Sequence, residues 1–217
     1  MAVEKLTDNF YEKIKPRLYQ RVGRELRLAY RVLDLGCGAC ELAEFLSETY
    51  RQKVTGVDIS ANGFSKKRKA LKKSRWIRCI RKDATQLGFI QDKMIDAVVI
   101  FWALHEMKNP QAVLRETHRV LRPGGKLLVV EFPRNSLAQK LWNETYYTDK
   151  QLIYYFLKAG FEDIRVEQIE HKQILWINAY RGVNPVKNRN GGMIPLPAIK
   201  TPSRKVKKCD KAASFER

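Results

Sequence analysis

Two hydrophobic periodicities divide this chain. Near the start, apolar residues recur at the spacing of one helix face and predict a helix within residues 8–30, although Pro16 and Gly23 interrupt it; the recurring positions are Phe10, Tyr11, Ile14, Leu18 and Val22. After residue 30, short apolar runs alternate with segments of helical pattern. This alternation is typical of a parallel sheet with helices on both faces.

Local signals mark where elements begin and end. Asn109-Pro110 predicts a helix start, because asparagine can cap a first turn and proline is tolerated at the first helical position. The segment 122–125, Arg-Pro-Gly-Gly, predicts a turn from that helix into a strand. Thr148 and Gln151 have the spacing of a capping box. From residue 181 onward, glycines, prolines and cations dominate, which is typical of a disordered tail.

Acidic residues stand at the ends of two predicted strands. Asp34 precedes a turn that contains Gly36 and Gly38, and Asp58 follows 20 residues after Gly38. Ligands of open α/β sheets bind at the carboxyl ends of strands, and an acid at this distance from a glycine turn can hold ribose hydroxyls. Glu41 occupies the place of the third glycine of a dinucleotide fingerprint, which disfavours a pyrophosphate. Asp34 favours a cationic ligand group such as an amine.

The segment from Val32 to Gly38 resembles motif I of the class I S-adenosylmethionine-dependent methyltransferases, with Cys40 in place of the last glycine of that motif. The resemblance continues in order to about residue 180. It is most typical of the subgroup that includes ubiquinone and menaquinone C-methyltransferases, through the helix, turn and strand of residues 114–131. The other matching segments are residues 54–58, 77–84, 95–105 and 159–161.

The resemblance implies a fold, a division of the chain and a cofactor site. The fold is a three-layer Rossmann-like α/β sandwich with a mostly parallel seven-stranded sheet and an antiparallel last strand. Residues 1–30 form a helical lid, residues 31–180 the methyltransferase domain and residues 181–217 a basic tail. Asp34 holds the methionine amine, Asp58 the ribose hydroxyls and Asp83 the adenine amine. The remaining predicted positions for S-adenosylmethionine are Gly36, Cys37, Gly38, Ile59, Ala84 and Phe101.

Methyl transfer is an in-line displacement that positioning and water exclusion can accelerate, so no metal site or covalent intermediate is expected. His105 follows the fourth strand and is the candidate general base for an acidic oxygen or carbon nucleophile. Packing within its loop is the other interpretation of His105. His118, inside a helix, is expected to be structural. His171, in a hairpin-like turn, is expected to be exposed to solvent. Candidate substrate residues, for which core packing is the alternative, are Tyr11, Trp102, Tyr146 and Tyr147.

Length and composition indicate the number of domains and the cellular compartment. The 217 residues suit one domain, no apolar run reaches the length of a membrane helix, and the first residues lack the apolar core of a signal peptide. We therefore expect a soluble, cytoplasmic protein. Cys37 and Cys40 form a C-x-x-C pair, which can indicate redox chemistry; packing as small residues beside the cofactor is the favoured interpretation.

The formal net charge is +19, and much of it lies in residues 66–82 and in the tail. Such charge can attract nucleic acid or an anionic membrane surface, or it can simply be solvated. Methyl transfer to a small or lipid-like molecule is the leading hypothesis. The alternative is an RNA methyltransferase that grips phosphates through these segments, although the usual Asn/Asp-Pro-Pro-Tyr and Pro-Cys patterns are absent. A cofactor-binding scaffold without catalysis ranks last, and the sequence indicates no oligomeric state.

Overall fold

The computed structural model describes residues 7–60 and 75–183, all of which belong to one compact unit. The start of the chain, the basic residues 66–74 and the tail from residue 184 lie outside these ranges. The strands are β1 (Arg31–Leu35), β2 (Lys53–Asp58), β3 (Ile77–Arg81), β4 (Ile95–Phe101), β5 (Leu121–Glu131), β6 (Phe161–Ile169) and β7 (Ile174–Arg181). The helices are α1 (Phe10–Glu25), α2 (Glu41–Tyr50), α3 (Pro110–Val120), α4 (Leu137–Trp142) and α5 (Asp149–Lys158).

The seven strands form one sheet in the order β3-β2-β1-β4-β5-β7-β6. Every pair from β3 to β5 along this order is parallel, whereas β7 is antiparallel to both β5 and β6. The predicted mostly parallel sheet with an antiparallel last strand is therefore confirmed. The strand order reverses between β1 and β4, and such a reversal opens a crevice at the carboxyl ends of the strands.

Alternate residues of the central strands enter two separate cores. On one face, Val32 of β1 packs with α1 and α2; on the other, Leu33 and Leu35 pack with α3 and α5. Strands that are apolar on both faces must be covered on both faces, because side chains alternate between them. Two helical layers therefore enclose the sheet, as the three-layer prediction requires.

The two predicted caps form, but the turn predicted at residues 122–125 is wrong, because these residues lie within β5, which begins directly after α3. Asn109 Oδ1 accepts the Ala112 N–H at 3.0 Å and caps α3, and Thr148 and Gln151 form both bonds of a capping box at the start of α5. The first helix is shorter than predicted and spans Phe10–Glu25, with Pro16 inside it. Gly23 also lies inside this helix. A Cβ at this position would lie 2.1 Å from the Tyr50 ring, so the close packing of α1 against the end of α2 favours glycine.

The regular alternation of strands and helices fails between β3 and β4. Residues 82–94 cross between these strands through turns, with no helix in this stretch. In contrast, the short link after β5 contains the helix α4. Within the described ranges, no helix has the length and apolar character that a bilayer crossing needs.

Candidate functional site

The turn after β1 depends on backbone conformations that glycine adopts readily. Gly36 has a φ of +73° and donates its N–H to the Val57 carbonyl at 2.8 Å. A Cβ on Gly36 would lie 2.3 Å from the Cβ of Ala103. Cys40, at the place of the family's last glycine, also takes a left-handed conformation with a φ of 61°. The turn therefore keeps its path despite the substitution.

Asp58 closes this turn from the end of β2. Its Oδ2 accepts the Gly38 N–H at 2.8 Å, and its Oδ1 accepts the Ser60 N–H at 2.8 Å. The predicted 20-residue spacing thus produces a direct contact. Each carboxylate oxygen has two lone pairs, so acceptor capacity remains for a pair of ligand hydroxyls.

Asp34 is a buried acid with an unpartnered oxygen. Asp34 is 1% exposed, and its Oδ2 has no hydrogen-bond partner within residues 7–60 and 75–183. Burial, reinforced by the charge of Asp58, raises the pKa of Asp34 from 3.8 to about 7. A buried carboxylate is costly unless a cation or donor meets it. An amine seated here would remove that cost, so Asp34 and Asp58 fit the cationic and ribose groups of S-adenosylmethionine.

Sequence reasoning missed Tyr19, which packs over this region from α1. Its ring lies 5.1 Å from that of Phe101. Burial and the nearby charges of Asp34 and Glu41 raise the pKa of Tyr19. Lys15 forms a 2.7 Å ion pair with Glu41 at the start of α2. The signal in the sequence was the apolar helix period, which identified the helix but not the neighbour of its aromatic face.

The structure corrects the prediction for one of the two cysteines of the C-x-x-C pair. Cys40 was interpreted as a free packed residue, but it is disulfide-bonded to Cys79 of β3. Cys37 Sγ lies 3.4 Å from Cys40 Sγ, and a Cβ on Gly56 would lie 2.8 Å from Cys37 Sγ. Burial, together with the charges of Asp34 and Asp58, raises the pKa of the Cys37 thiol. Cys37 is therefore a neutral thiol packed against the cofactor turn at neutral pH.

The predicted adenine side lies at the carboxyl end of β3. Asp83 Oδ1 accepts the Thr85 N–H at 2.8 Å, so part of its carboxylate acts as a turn cap. Ala84 packs against the core on the α3 and α5 face. Ile59, after Asp58, is 65% exposed, which leaves its side chain free to cover a bound ligand. These positions adjoin the sheet edge where the acids of β1 and β2 lie.

His105 lies in a short 3-10 helix after β4, and both of its ring nitrogens face acids. Nδ1 lies 2.8 Å from Glu131 Oε1, and Nε2 lies 3.2 Å from Glu144 and 3.9 Å from Glu106. Burial alone would lower the pKa of His105, but the hydrogen bond and charge of Glu131, with the charges of the two other acids, raise it. His118 instead packs against Phe161, and His171 is exposed in the turn before β7.

Glu131, at the end of β5, was not predicted as a site residue. It is fully buried, and its two oxygens accept the backbone N–H groups of His105 and Phe132. Because a carboxylate oxygen accepts hydrogen bonds, the 2.8 Å contact with Glu131 Oε1 favours the tautomer of His105 with a proton on Nδ1. The only sequence signal was an acid at a strand end, the same signal that identified Asp34 and Asp58.

Aromatic rings surround His105. Tyr146 lies 4.7 Å from it between ring centroids, and Tyr11 lies 4.9 Å from Phe132 and 6.0 Å from Trp102. Three of the four predicted substrate residues therefore come together. Tyr147 does not join them, because its ring packs on Tyr155 at 5.6 Å.

Trp102 combines two features typical of functional positions. Its φ is +54°, an uncommon conformation for a bulky residue, and its buried indole N–H has no hydrogen-bond partner. Its backbone N–H donates to Val130 at 2.8 Å, which holds the residue beside the end of β5. Trp142, on α4, adds a ring 5.2 Å from Tyr11 that sequence reasoning did not select.

The comparison with known proteins agrees with this geometry. Residues 33–129 match the family model described as a methyltransferase domain. This match supports a methyltransferase domain in that part of the chain. The demethylmenaquinone methyltransferase of Mycobacterium tuberculosis is 35% identical over 144 residues, which are 64% of this chain and 58% of that protein. The ubiquinone/menaquinone biosynthesis C-methyltransferase UbiE of Coxiella burnetii is 34% identical over 118 residues, 52% of this chain and 47% of that protein.

Solved structures confirm the fold. The [4+2]-cyclase SpnF superposes with a TM-score of 0.70 at 21% identity, over 80% of this chain and 83% of its own. The Haemonchus contortus phosphoethanolamine N-methyltransferase 2, solved with S-adenosylhomocysteine, gives a TM-score of 0.62 at 17% identity, over 75% of this chain and 52% of its own. A cyclase among these neighbours shows that the fold hosts different chemistries. This chain spans about 58% of the length of the mycobacterial relative.

Proposed function

We propose that this protein is an S-adenosylmethionine-dependent methyltransferase that acts on a small or lipid-like molecule by in-line methyl transfer. The observation that carries the proposal is Asp34, a buried carboxyl whose Oδ2 has no hydrogen-bond partner among the described residues, beside a glycine turn that Asp58 closes. The names of the two quinone-biosynthesis relatives favour a quinone-type acceptor. Neither the comparisons nor the described residues supply support for the RNA alternative.

In this proposal, different residues of the chain bind different groups of the cofactor. Asp34 binds the amine and Asp58 the ribose hydroxyls, while Gly36 and Gly38 let the backbone approach the ligand. Asp83, Ile59, Ala84 and Phe101 complete the adenine side. When bound, S-adenosylmethionine supplies an electrophilic methyl group on a positively charged sulfur. We assign α1 to the lid, because Tyr19 and the Lys15–Glu41 pair connect it to the cofactor turn.

His105 is the proposed general base, and Glu131 is its positioning residue. With a proton on Nδ1, the ring presents Nε2 to an acidic hydroxyl or carbon acid of the acceptor. Proton uptake at Nε2 forms an imidazolium that the buried Glu131 carboxylate stabilises. Glu144 contacts Nε2 in this structure, so the acceptor must displace it to reach the base. The rings of Tyr11, Trp102 and Tyr146 line the approach.

The test begins with cofactor binding to the full chain. S-adenosylmethionine at 100 times its dissociation constant should stabilise the protein by about 2.7 kcal/mol in thermal unfolding, whereas NAD should have no effect. Asp58→Ala should weaken cofactor binding, because two hydrogen bonds to a charged acceptor, each worth about 1.5–3 kcal/mol, are lost. An unchanged dissociation constant would show that Asp58 does not hold the ribose.

Methyl transfer is then measured with a labelled methyl group on pools of small molecules, hydroquinones and RNA. We expect label in a hydroquinone-type or other small acceptor and none in RNA. Labelling of one discrete RNA would reverse the assignment. Cofactor binding without label in any pool would favour a binding protein that lacks catalysis.

A further inference from the structure

A groove of about 340 Å³ lies on the sheet face of β1, β2 and β3, toward the end opposite the cofactor turn. Residues 82–94 cross to β4 without a helix, and among the described residues of this crossing, 89–91 and 94 border the groove together with Ile95 of β4. The groove is lined by two kinds of side chain. The cations are Arg31, Lys53 and Arg78, and the apolar surface comes mainly from Ile80, Phe89 and Met94.

The three cations belong to adjacent strands. Arg31 and Lys53 are direct partners in the β1–β2 register, and Arg78 is the partner of Thr55, two residues beyond Lys53. Like charges at facing positions destabilise a sheet. Within the part of the chain that the structure describes, none of the three forms an ion pair with a carboxylate.

The nearby acids are already engaged. Asp96 accepts from the Arg122 guanidinium at 2.6 Å, and Asp92 from the Arg119 guanidinium at 2.6 Å. Asp96 also accepts the backbone N–H of Arg31, whereas the polar contact of the Arg31 guanidinium among the described residues is to the Met94 sulfur, at 3.9 Å. The groove therefore holds three positive charges that no carboxylate within residues 7–60 and 75–183 pairs with.

The apolar side of the groove is open to solvent. Phe89 is 41% exposed and Met94 is 38% exposed. Single exposed apolar residues are ordinary in proteins. Here, however, two large apolar side chains lie beside a cavity and three cations, so one surface offers both apolar contact and positive charge. Such a surface suits a ligand with an anionic group at one end and a ring or apolar body at the other.

We propose that this groove is a second ligand site, which binds a phosphorylated small molecule with a ring or apolar body. A phosphate monoester carries nearly two negative charges at neutral pH, and arginine matches its oxygens with paired donors. The volume is at the lower end of small-molecule sites. The cofactor site is lined by acids, so its electrostatics exclude the same ligand. This site does not depend on the proposed methyl transfer.

The experiment uses phenyl phosphate as the probe, with phenol and inorganic phosphate for its two halves, titrated into the full chain by calorimetry. We expect phenyl phosphate to bind more tightly than either half. The variant Arg31→Gln/Lys53→Gln/Arg78→Gln should lose at least tenfold in affinity. The matched control Lys13→Gln/Arg115→Gln/Lys150→Gln removes three exposed cations elsewhere that form no ion pair with another described residue, and it should change affinity less than threefold.

Three further readouts distinguish binding in the groove from nonspecific attraction by net charge. The groove variant should melt at the same or a higher temperature than the wild type, because it relieves like-charge repulsion; loss of binding is then not unfolding. Phe89→Ser should abolish the preference for phenyl phosphate over inorganic phosphate. S-adenosylmethionine should leave phenyl phosphate binding unchanged, whether or not the protein proves to be a methyltransferase.

Three results would overturn the proposal. The first is no saturable binding of phenyl phosphate. The second is an equal loss in the groove and control variants, which would mean nonspecific attraction by net charge. The third is groove-dependent binding to phosphatidylcholine vesicles that contain phosphatidylglycerol, without binding of phenyl phosphate, which would assign the groove to a membrane surface.

Discussion

At the scale of single residues, the site holds one acid with an unpartnered oxygen and one histidine with several partners. Asp34 Oδ2 has no hydrogen-bond partner among the described residues and the pKa of Asp34 is raised, whereas His105 contacts three carboxylates. A buried polar group without a partner lowers the stability of the unliganded protein and favours the ligand that completes it. The two residues therefore mark the cofactor side and the acceptor side of the same sheet edge.

Asp34→Asn should stabilise the unliganded protein while it abolishes cofactor binding. The pKa of Asp34 in the folded state, about 7, exceeds its ordinary value of 3.8. The unfolded chain therefore binds fewer protons between these values, and the free energy of unfolding falls as pH rises from about 4 to 7. The variant lacks this loss, so we expect a gain on the order of 4 kcal/mol at pH 8.

The measurement is chemical denaturation of both proteins at pH 4 and pH 8. At pH 4 the carboxyl is largely protonated in the folded state, so the difference between the proteins should nearly vanish. A variant that is equally destabilised at both pH values would contradict the electrostatic interpretation of Asp34.

Glu131→Gln should lower the pKa of His105. The raised pKa of His105 means that its contribution to stability is fully present below its ordinary pKa of 6.5 and is lost as pH rises through the folded-state value. The variant should therefore be destabilised more at pH 5.5 than at pH 9. Proton NMR titration is direct, because the chain has three histidines. Glu106→Gln, which removes a carboxylate 3.9 Å from Nε2, should shift the pKa less.

At the scale of elements, the cofactor turn is shaped by contact between two loops. Gly36 after β1 and Ala103 after β4 approach so closely that the turn admits no side chain at position 36, whereas Gly38 has open space around its Cβ direction. Both glycines have positive φ. Substitutions at these two glycines therefore distinguish backbone strain from steric overlap, two effects that usually occur together.

Gly38→Ala should cost about 1 kcal/mol, from the unfavourable backbone conformation alone. Gly36→Ala should cost that amount plus about 1–3 kcal/mol for overpacking against Ala103. The double variant Gly36→Ala/Ala103→Gly removes the overlap and should recover most of the second term. Urea denaturation of the four proteins, including the wild type, measures each term. Equal losses in Gly36→Ala and Gly38→Ala would mean that the loops move apart freely.

At the scale of the whole molecule, charge is distributed unevenly over the two ends of the strands. Asp34, Asp58 and Asp83 stand at the carboxyl ends, while Arg31 and Lys53 begin β1 and β2. The net charge of the chain is +19. Self-repulsion of this size opposes compaction, and salt screens it.

We therefore expect the melting temperature to rise by several degrees when sodium chloride is increased from about 0.02 to 0.5 M, because the Debye length shortens and the repulsion between like charges is screened. Calorimetry at fixed pH measures the effect. The variant in which Arg31, Lys53 and Arg78 are glutamine should show a smaller rise, because it begins with less repulsion. A melting temperature that falls with salt would mean that the ion pairs outweigh the repulsion.

Several features of this protein could be predicted from sequence because they depend on local patterning. The strands β1, β2, β4 and β5 are apolar runs, the caps of α3 and α5 are short-range contacts, and Asp58 follows the glycine turn at a fixed spacing. The family resemblance supplied the antiparallel β7, which no local pattern specifies. Cofactor assignments to these residues remain predictions until binding is measured.

What the sequence by itself determined is therefore the order of elements, the acids at strand ends and the candidate base. Only the tertiary structure decided which distant residues meet. Glu131 reaches His105 across 26 positions, Tyr19 covers a turn that begins 17 residues later, and Cys40 bonds to Cys79 rather than packing alone. The groove of unpaired cations also appears only when three strands pair in register. Sequence periodicity specifies which face of an element is buried, but contacts between elements depend on register and packing.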